Sequence, residues 1–405
     1  MKTLLRTNRV TFQNLISLPR TKRTSHGFSI VELMVALVLS SLIMIGVIQI
    51  FISSNSTHRA TEGLSRVQEN GRFAMDFLTR EIRMAGNMGC LRTVPIVNYV
   101  DSTNIQFDPT RGIFGFEASN SAPDDTISAV ANPTNTTSGW GTTLDSNLVP
   151  GSGGVAGAIA GTDIIVVYSL GNTIPLRAPD YHNEANVFLD DGAAATAGLE
   201  IGDIVTIADC EKASIFQISS MNSSKTNLTH TNAANPVPGN VCSQWGSSCA
   251  DKNQEHKYGP DAELAKLVTS VFYIARGAGG KPSLFRASLT PGSNQMRGEE
   301  LVEGIENMQI LYGEDTTSTT RSNGQPTTFL TASEVTNWSR VVNVRISLVA
   351  ATENIQGTGV DMEPDTGTYL LTGATPETAT EYDPVDDTRR RRVFNATVQL
   401  RNRGL

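Results

Sequence analysis

One carboxylate sits where its chemistry is unusual. Residues 27 to 52 read G-F-S-I-V-E-L-M-V and then continue almost wholly apolar to Ile52. Glu32 is the only charged residue in that run. A stretch of this length suffices to cross a bilayer as a helix. An ionised carboxylate within it costs roughly 2.5 kcal/mol or more, so a chain that keeps one there has a counter-charge to offer it. The flank adds a second chemical feature. Arg20, Lys22 and Arg23 precede Gly27, and Glu32 is the fifth residue counted from Phe28. The elements that position these groups are then a basic leader, an apolar helix and whatever that helix carries.

The bulk composition fits such an arrangement. The chain has 405 residues, 39% of them hydrophobic, a content that suits a polar ectodomain carried on one membrane helix. We expect one membrane segment, since no second apolar run approaches eighteen residues. Residues 1–27 hold six of the 32 Lys and Arg and no acid, so the remainder carries 26 basic against 40 acidic side chains. That balance argues against nucleic acid or anionic lipid as the main partner. The leader has no apolar core before Gly27, unlike an ordinary secretory signal. Its positive charge fits an N-terminus kept on the cytoplasmic side.

The string around Gly27 resembles the class III signal of type IV pilins and type II secretion pseudopilins. In those families a prepilin peptidase cuts after the Gly and methylates the new N-terminus. The resemblance implies cleavage between Gly27 and Phe28, N-methylation of Phe28 and an assembly role for the Glu32 carboxylate. Further patches are R-E-I-R-M-A-G-N-M-G-C near Cys90, G-D-I-V-T-I-A-D-C-E-K before and after Cys210, L-V-E-G-I-E-N-M-Q-I-L-Y-G-E-D at 301–315 and R-V-F-N-A-T-V-Q-L-R-N-R near the C-terminus. Together they resemble PilW-type minor pilins of type IVa pili and, more loosely, the larger minor pseudopilins. The fold this implies is α+β, a long N-terminal helix packed on a loop-rich, mainly antiparallel head. The expected divisions are 1–27 leader, 28–52 membrane and filament-core helix, 53–86 amphipathic helix and 87–405 head.

The patterning agrees. Apolar residues recur at Leu64, Val67, Ala74, Phe77, Leu78 and Ile82 among charged ones, the spacing of one buried stripe on a helix. Ala85-Gly86 is the expected stop. Strands are expected at Thr103–Phe107, Asp163–Leu170, Ile204–Ala208, Ser214–Ser219, Leu267–Ala275, Ser283–Leu289, Leu301–Tyr312, Ser339–Ala350 and Arg392–Leu400, several with the alternation of a half-buried strand. Long polar stretches at 117–162, 222–260 and 351–388 read as functional surfaces or mobile loops.

Four cysteines remain, Cys90, Cys210, Cys242 and Cys249, none in a C-x-x-C pair. An even number in an oxidising compartment suggests disulfides, with three pairings open. A local Cys242–Cys249 bridge is the simplest, which would leave Cys90 with Cys210. No metal or cofactor is expected. Relatives often carry an Asp-rich segment after the L-Y-G motif, but here only Glu314 and Asp315 stand there, too few for the six to eight oxygens calcium takes. Asp383, Asp386 and Asp387 read as a solvated loop, and Arg389–Arg392 as a solvated basic face. No G-x-S-x-G, H-E-x-x-H or G-x-x-x-x-G-K-[ST] occurs, so no enzyme is expected.

The leading expectation is a minor pilin that joins other minor pilins and the major pilin, near the pilus tip, through the prepilin peptidase and the inner-membrane assembly platform. It would sit single-pass in the inner membrane with its head periplasmic, then in the surface pilus. Gln49 stands where major pilins of the type IVa class often carry Pro, against a major-pilin reading. The alternatives are a minor pseudopilin of a type II secretion system, and a tip adhesin or DNA-uptake subunit working through the long loops. For DNA or a host surface as partner no residue pattern speaks.

Overall fold

The computed structural model describes residues 27–87, 96–101, 111–141, 144, 148–150, 157–177, 185–209, 211–243, 256–259, 261–293, 295–317, 324–353, 363–373 and 378–402. The chain divides into two compact units, one up to Asn55 and one from Ser56 onward. A single helix, α1 (Ile30–Met84), runs through the boundary without a break at Gly46 or Gly63. It ends where expected, with Gly86 at φ +68° and its N–H donating to the Tyr168 carbonyl at 2.9 Å. A residue in that left-handed conformation releases the last helical carbonyls from the ladder, and Gly adopts it without a Cβ clash.

In the first unit the large apolar side chains from Ile30 to Phe51 are all exposed. In the second unit α1 buries Val67, Gly71, Ala74, Leu78 and Ile82, one stripe at helical spacing. Two expected members are not in it: Leu64 and Phe77 are 42% and 41% exposed. Gly71 takes a place instead, because a Cβ there would lie 2.2 Å from the Phe394 ring. The helix approaches the sheet so closely at that turn that only hydrogen fits.

Two main sheets form the strand-rich part. The first has eight strands, with Glu263–Arg276 at its centre. One edge of that strand pairs with Ile164–Pro175, and the other is shared by Ile204–Ala208 and Pro282–Leu289. Met296–Glu303 closes one end and Ile113–Phe116 pairs beyond Ile164–Pro175. All these pairs are antiparallel; Ile96–Asn98 joins Ala213–Gln217 in parallel. The second sheet runs Thr328–Leu330, Ile305–Glu314, Val341–Ala351, Arg391–Gln399, all antiparallel. A small third sheet holds Thr126–Ser128, Glu381–Asp383 and Tyr369–Leu370.

The expected strand over 301–312 is two strands in two sheets. Gly304, at φ +80°, separates Met296–Glu303 from Ile305–Glu314 and turns the chain from the first sheet into the second. Ser339 and Arg340 lie in a short 3-10 turn, Trp338–Arg340, before the strand that starts at Val341. Ile113–Phe116 is a strand the sequence reading did not contain, and the expected Thr103–Phe107 lies outside the described residues. The 117–162 and 351–388 stretches are not wholly irregular, since the third sheet is built from them.

Register explains the core. Met308, Leu348 and Phe394 are level across the second sheet, as are Ile310, Ile346 and Ala396, and Tyr312, Val344 and Val398. Side chains alternate along each strand, so these rows share one face. Most of them pack with Val67, Leu78 and Ile82 of α1 in one apolar cluster. The opposite face carries Gln309, Ser347 and Asn395 in register.

Candidate functional site

The first turn of α1 is closed by two reciprocal hydrogen bonds. The Ser29 N–H donates to Glu32 Oε2 at 3.1 Å, and the Val31 N–H donates to Ser29 Oγ at 3.3 Å. The Leu33 N–H donates to the Ser29 carbonyl at 3.1 Å, which makes Ser29 the N-cap. This is a variant of the capping box: the Ser29 hydroxyl takes the second helical N–H, that of Val31, and the Glu three residues on takes the Ser29 N–H. A negative side chain is also favoured here by the positive end of the helix dipole. The S-x-x-E spacing before an apolar run was present in the sequence and is the signal that would have found it.

Glu32 therefore has a local structural task. One oxygen is engaged by the cap; as an ionised carboxylate it keeps further acceptor capacity. Phe28 is 86% exposed, and a Cβ on Gly27 would meet nothing within 4 Å. Gly27 is not required by packing or by a left-handed backbone.

Of the cysteines, Cys242 is 2% exposed and disulfide-bonded. Cys90, Cys210 and Cys249 lie outside the described residues, and the expected pairing with them. Glu314 accepts from the Thr336 hydroxyl at 2.9 Å, and Asp315 accepts from the Thr317 hydroxyl at 2.6 Å. Asp315 is engaged within its own turn, and Glu314 holds a segment 22 residues further on.

Asp387 of the acidic group and Arg389 and Arg391 of the basic run are not solvated, while Asp386 is exposed as expected. Arg391, its side chain 1% exposed, donates through Nε to Glu306 Oε2 at 2.6 Å and pairs with Asp387 at 3.1 Å and Asp365 at 3.3 Å. Arg389 pairs with Glu306 and Asp387, both at 2.6 Å. The Tyr382 hydroxyl donates to Glu306 at 3.3 Å. Of the run, only Arg392 is exposed. Burying these charges is tolerable because each faces an opposite one and a hydrogen bond. Glu306, Arg389, Arg391 and Tyr382 also form the polar wall of a cavity of about 210 Å³. Its apolar wall includes Ile127 and Val130.

Residues 271–402 match the family Type IV Pilus-assembly protein W. Residues 22–48, which contain Gly27, Phe28 and Glu32, match the Prokaryotic N-terminal methylation motif. Among solved structures, a type IV-like pilin from Thermus thermophilus is similar at 16% identity, over 34% of this chain and 70% of that one, with a TM-score of 0.22. No curated protein matches the chain. The chain is thus similar to Type IV Pilus-assembly protein W over its C-terminal third and carries the Prokaryotic N-terminal methylation motif at residues 22–48.

Proposed function

We propose that this chain is a minor pilin of a type IV pilus. It is cut between Gly27 and Phe28 by prepilin peptidase and methylated at Phe28. The first part of α1 holds it in the inner membrane with the head periplasmic, and later lies in the filament core. There the Glu32 carboxylate meets the N-terminal amine of a neighbouring subunit, and each charge offsets the cost of burying the other. Surrounding Leu, Ile and Val side chains supply most of the burial energy, at about 25 cal/mol per Å². Its partners are the other minor pilins, the major pilin and the inner-membrane assembly platform, with a place near the tip. No catalytic role is assigned to any residue.

The observation that supports this most is the start of α1. A capped carboxylate lies at Glu32, in a helix whose large apolar side chains from Ile30 to Phe51 are all exposed. Such a surface calls for lipid or for other apolar helices. Mass spectrometry of sheared, purified pili tests the reading. The expected result is this chain in the fibres, beginning at a methylated Phe28. A chain confined to the periplasm would indicate the pseudopilin alternative, and an N-terminus upstream of Phe28 would overturn the processing assignment.

A tip-binding role has one observation in its favour. The 117–162 stretch lines the cavity that Glu306, Arg389 and Arg391 wall. Deleting residues 129–133 with piliation intact would separate binding from assembly.

A further inference from the structure

One buried and one half-buried carboxylate, Asp163 and Glu117, join the two main sheets, and among the described residues no cation meets them. Asp163, immediately before the Ile164–Pro175 strand, is 2% exposed. Its Oδ1 accepts from the Ala118 N–H at 3.0 Å and its Oδ2 from the Ile310 N–H at 2.8 Å, across to the second sheet. Glu117, just after Ile113–Phe116, accepts from the Ala332 N–H at 3.2 Å, just past Thr328–Leu330 of the second sheet. The Ser121 hydroxyl stands between them. It lies 2.8 Å from the Ala118 carbonyl and 3.4 Å from Glu117 Oε1, and it also bonds Asp163. One hydroxyl proton cannot satisfy all three acceptors.

The remaining neighbours add negative field. Asp125 from the same loop and Glu334 from the turn after Ala332 both repel charge on Glu117. The Tyr312 hydroxyl, on the second sheet, is 1% exposed, has no hydrogen-bond partner, and feels the charges of Asp163 and Glu117. Neither Glu117 nor Asp163 is ion-paired to a Lys or Arg among the described residues.

We propose that Glu117 and Asp163, linked through the Ser121 hydroxyl, form a proton-binding pair that couples the packing of the two sheets to ambient pH. Two carboxylates that bond one hydroxyl and repel each other cannot both ionise without cost. The proton belongs to the pair, and removing it leaves one buried and one half-buried anion with too few donors. Burial, more than the neighbouring charges, pushes Glu117 up to about 7 and holds Asp163 well above the usual carboxylate range. Between about pH 4.5 and 7 the folded chain thus keeps a proton that an unfolded glutamate has released. Stability falls as pH rises through that window, and the loss is complete above it. This device stands apart from the assembly reading and survives or fails independently of it.

The test uses the full mature chain in detergent micelles, with the melting temperature followed from about pH 5 to about pH 8.5. The wild type should melt roughly 3–5 °C lower at the alkaline end. Histidine also titrates near neutrality, so the diagnostic quantity is the difference from Glu117→Gln. That variant should lose most of the slope between pH 5 and 7 and melt above the wild type at pH 8.5. The infrared carbonyl band of a protonated carboxyl supplies a readout that does not depend on the variant's folding. It should be present at about pH 6 in the wild type and vanish by about pH 8.5. A wild-type slope unchanged in Glu117→Gln, or no carboxyl band at pH 6, would overturn the proposal. So would recovery of the alkaline melting temperature on adding calcium alone, which would make this a cation site.

Discussion

At the scale of single residues, Glu32 serves two tasks that one substitution confounds. It caps α1 through the Ser29 N–H, and under the proposed function it neutralises a neighbour's amine. Gln keeps an oxygen for the cap and loses the charge; Ala loses both. Glu32→Gln is therefore expected to leave α1 intact by circular dichroism yet fall at least tenfold in incorporation into pili, measured by immunoblot of sheared fibres. Glu32→Ala should add a capping loss of about 0.5–2 kcal/mol. Normal incorporation of Glu32→Gln would remove the charge-pairing step. Gly27→Ser probes a different demand. Open space around Gly27 leaves no folding reason for glycine, so uncleaved precursor in that variant would report on the peptidase and not on damage to the chain.

Among the elements, α1 shows what periodicity reveals and what it misses. Its length, stop and most of its buried stripe follow from residues a few positions apart, because 3.6-residue spacing is a local property. The exclusion of Phe77 and Leu64 and the inclusion of Gly71 depend on where the sheet lies against the helix. Gly71 faces Phe394, more than three hundred residues along the chain. Gly71→Ala raises helix propensity yet forces that ring aside. The net expectation is destabilisation by about 1–3 kcal/mol, read as a lowered melting temperature. A neutral or stabilising result would mean the contact is looser than 2.2 Å implies. The break at Gly304 is similar. The sequence over 301–312 reads as one strand, and only the separate partners of its halves show the change of sheet.

Across the whole molecule, charge is handled in two opposite ways. Glu306 collects Arg389 and Arg391, with Asp365 and Asp387 behind them, and ties Ile305–Glu314 to the start of Arg391–Gln399. Glu117 and Asp163 join the sheets with no cation. Arg391→Ala should cost about 3–5 kcal/mol, since it strips a buried carboxylate of its main partner. Arg392→Ala, exposed one residue on, should change stability by less than about 0.5 kcal/mol. Thermal or urea unfolding of the two variants distinguishes them, and equal effects would return the run to a solvated surface.

What the sequence alone determined is the part whose physics is local. An apolar run, a carboxylate five residues after Gly27, a helix stop and alternating strands are all set by near neighbours. Tertiary structure decided which charges were buried and against what. Asp163 and Ile310, or Glu306 and Arg391, are brought together only when distant strands pair, and the cost of a buried charge depends on that company, which adjacent residues do not record.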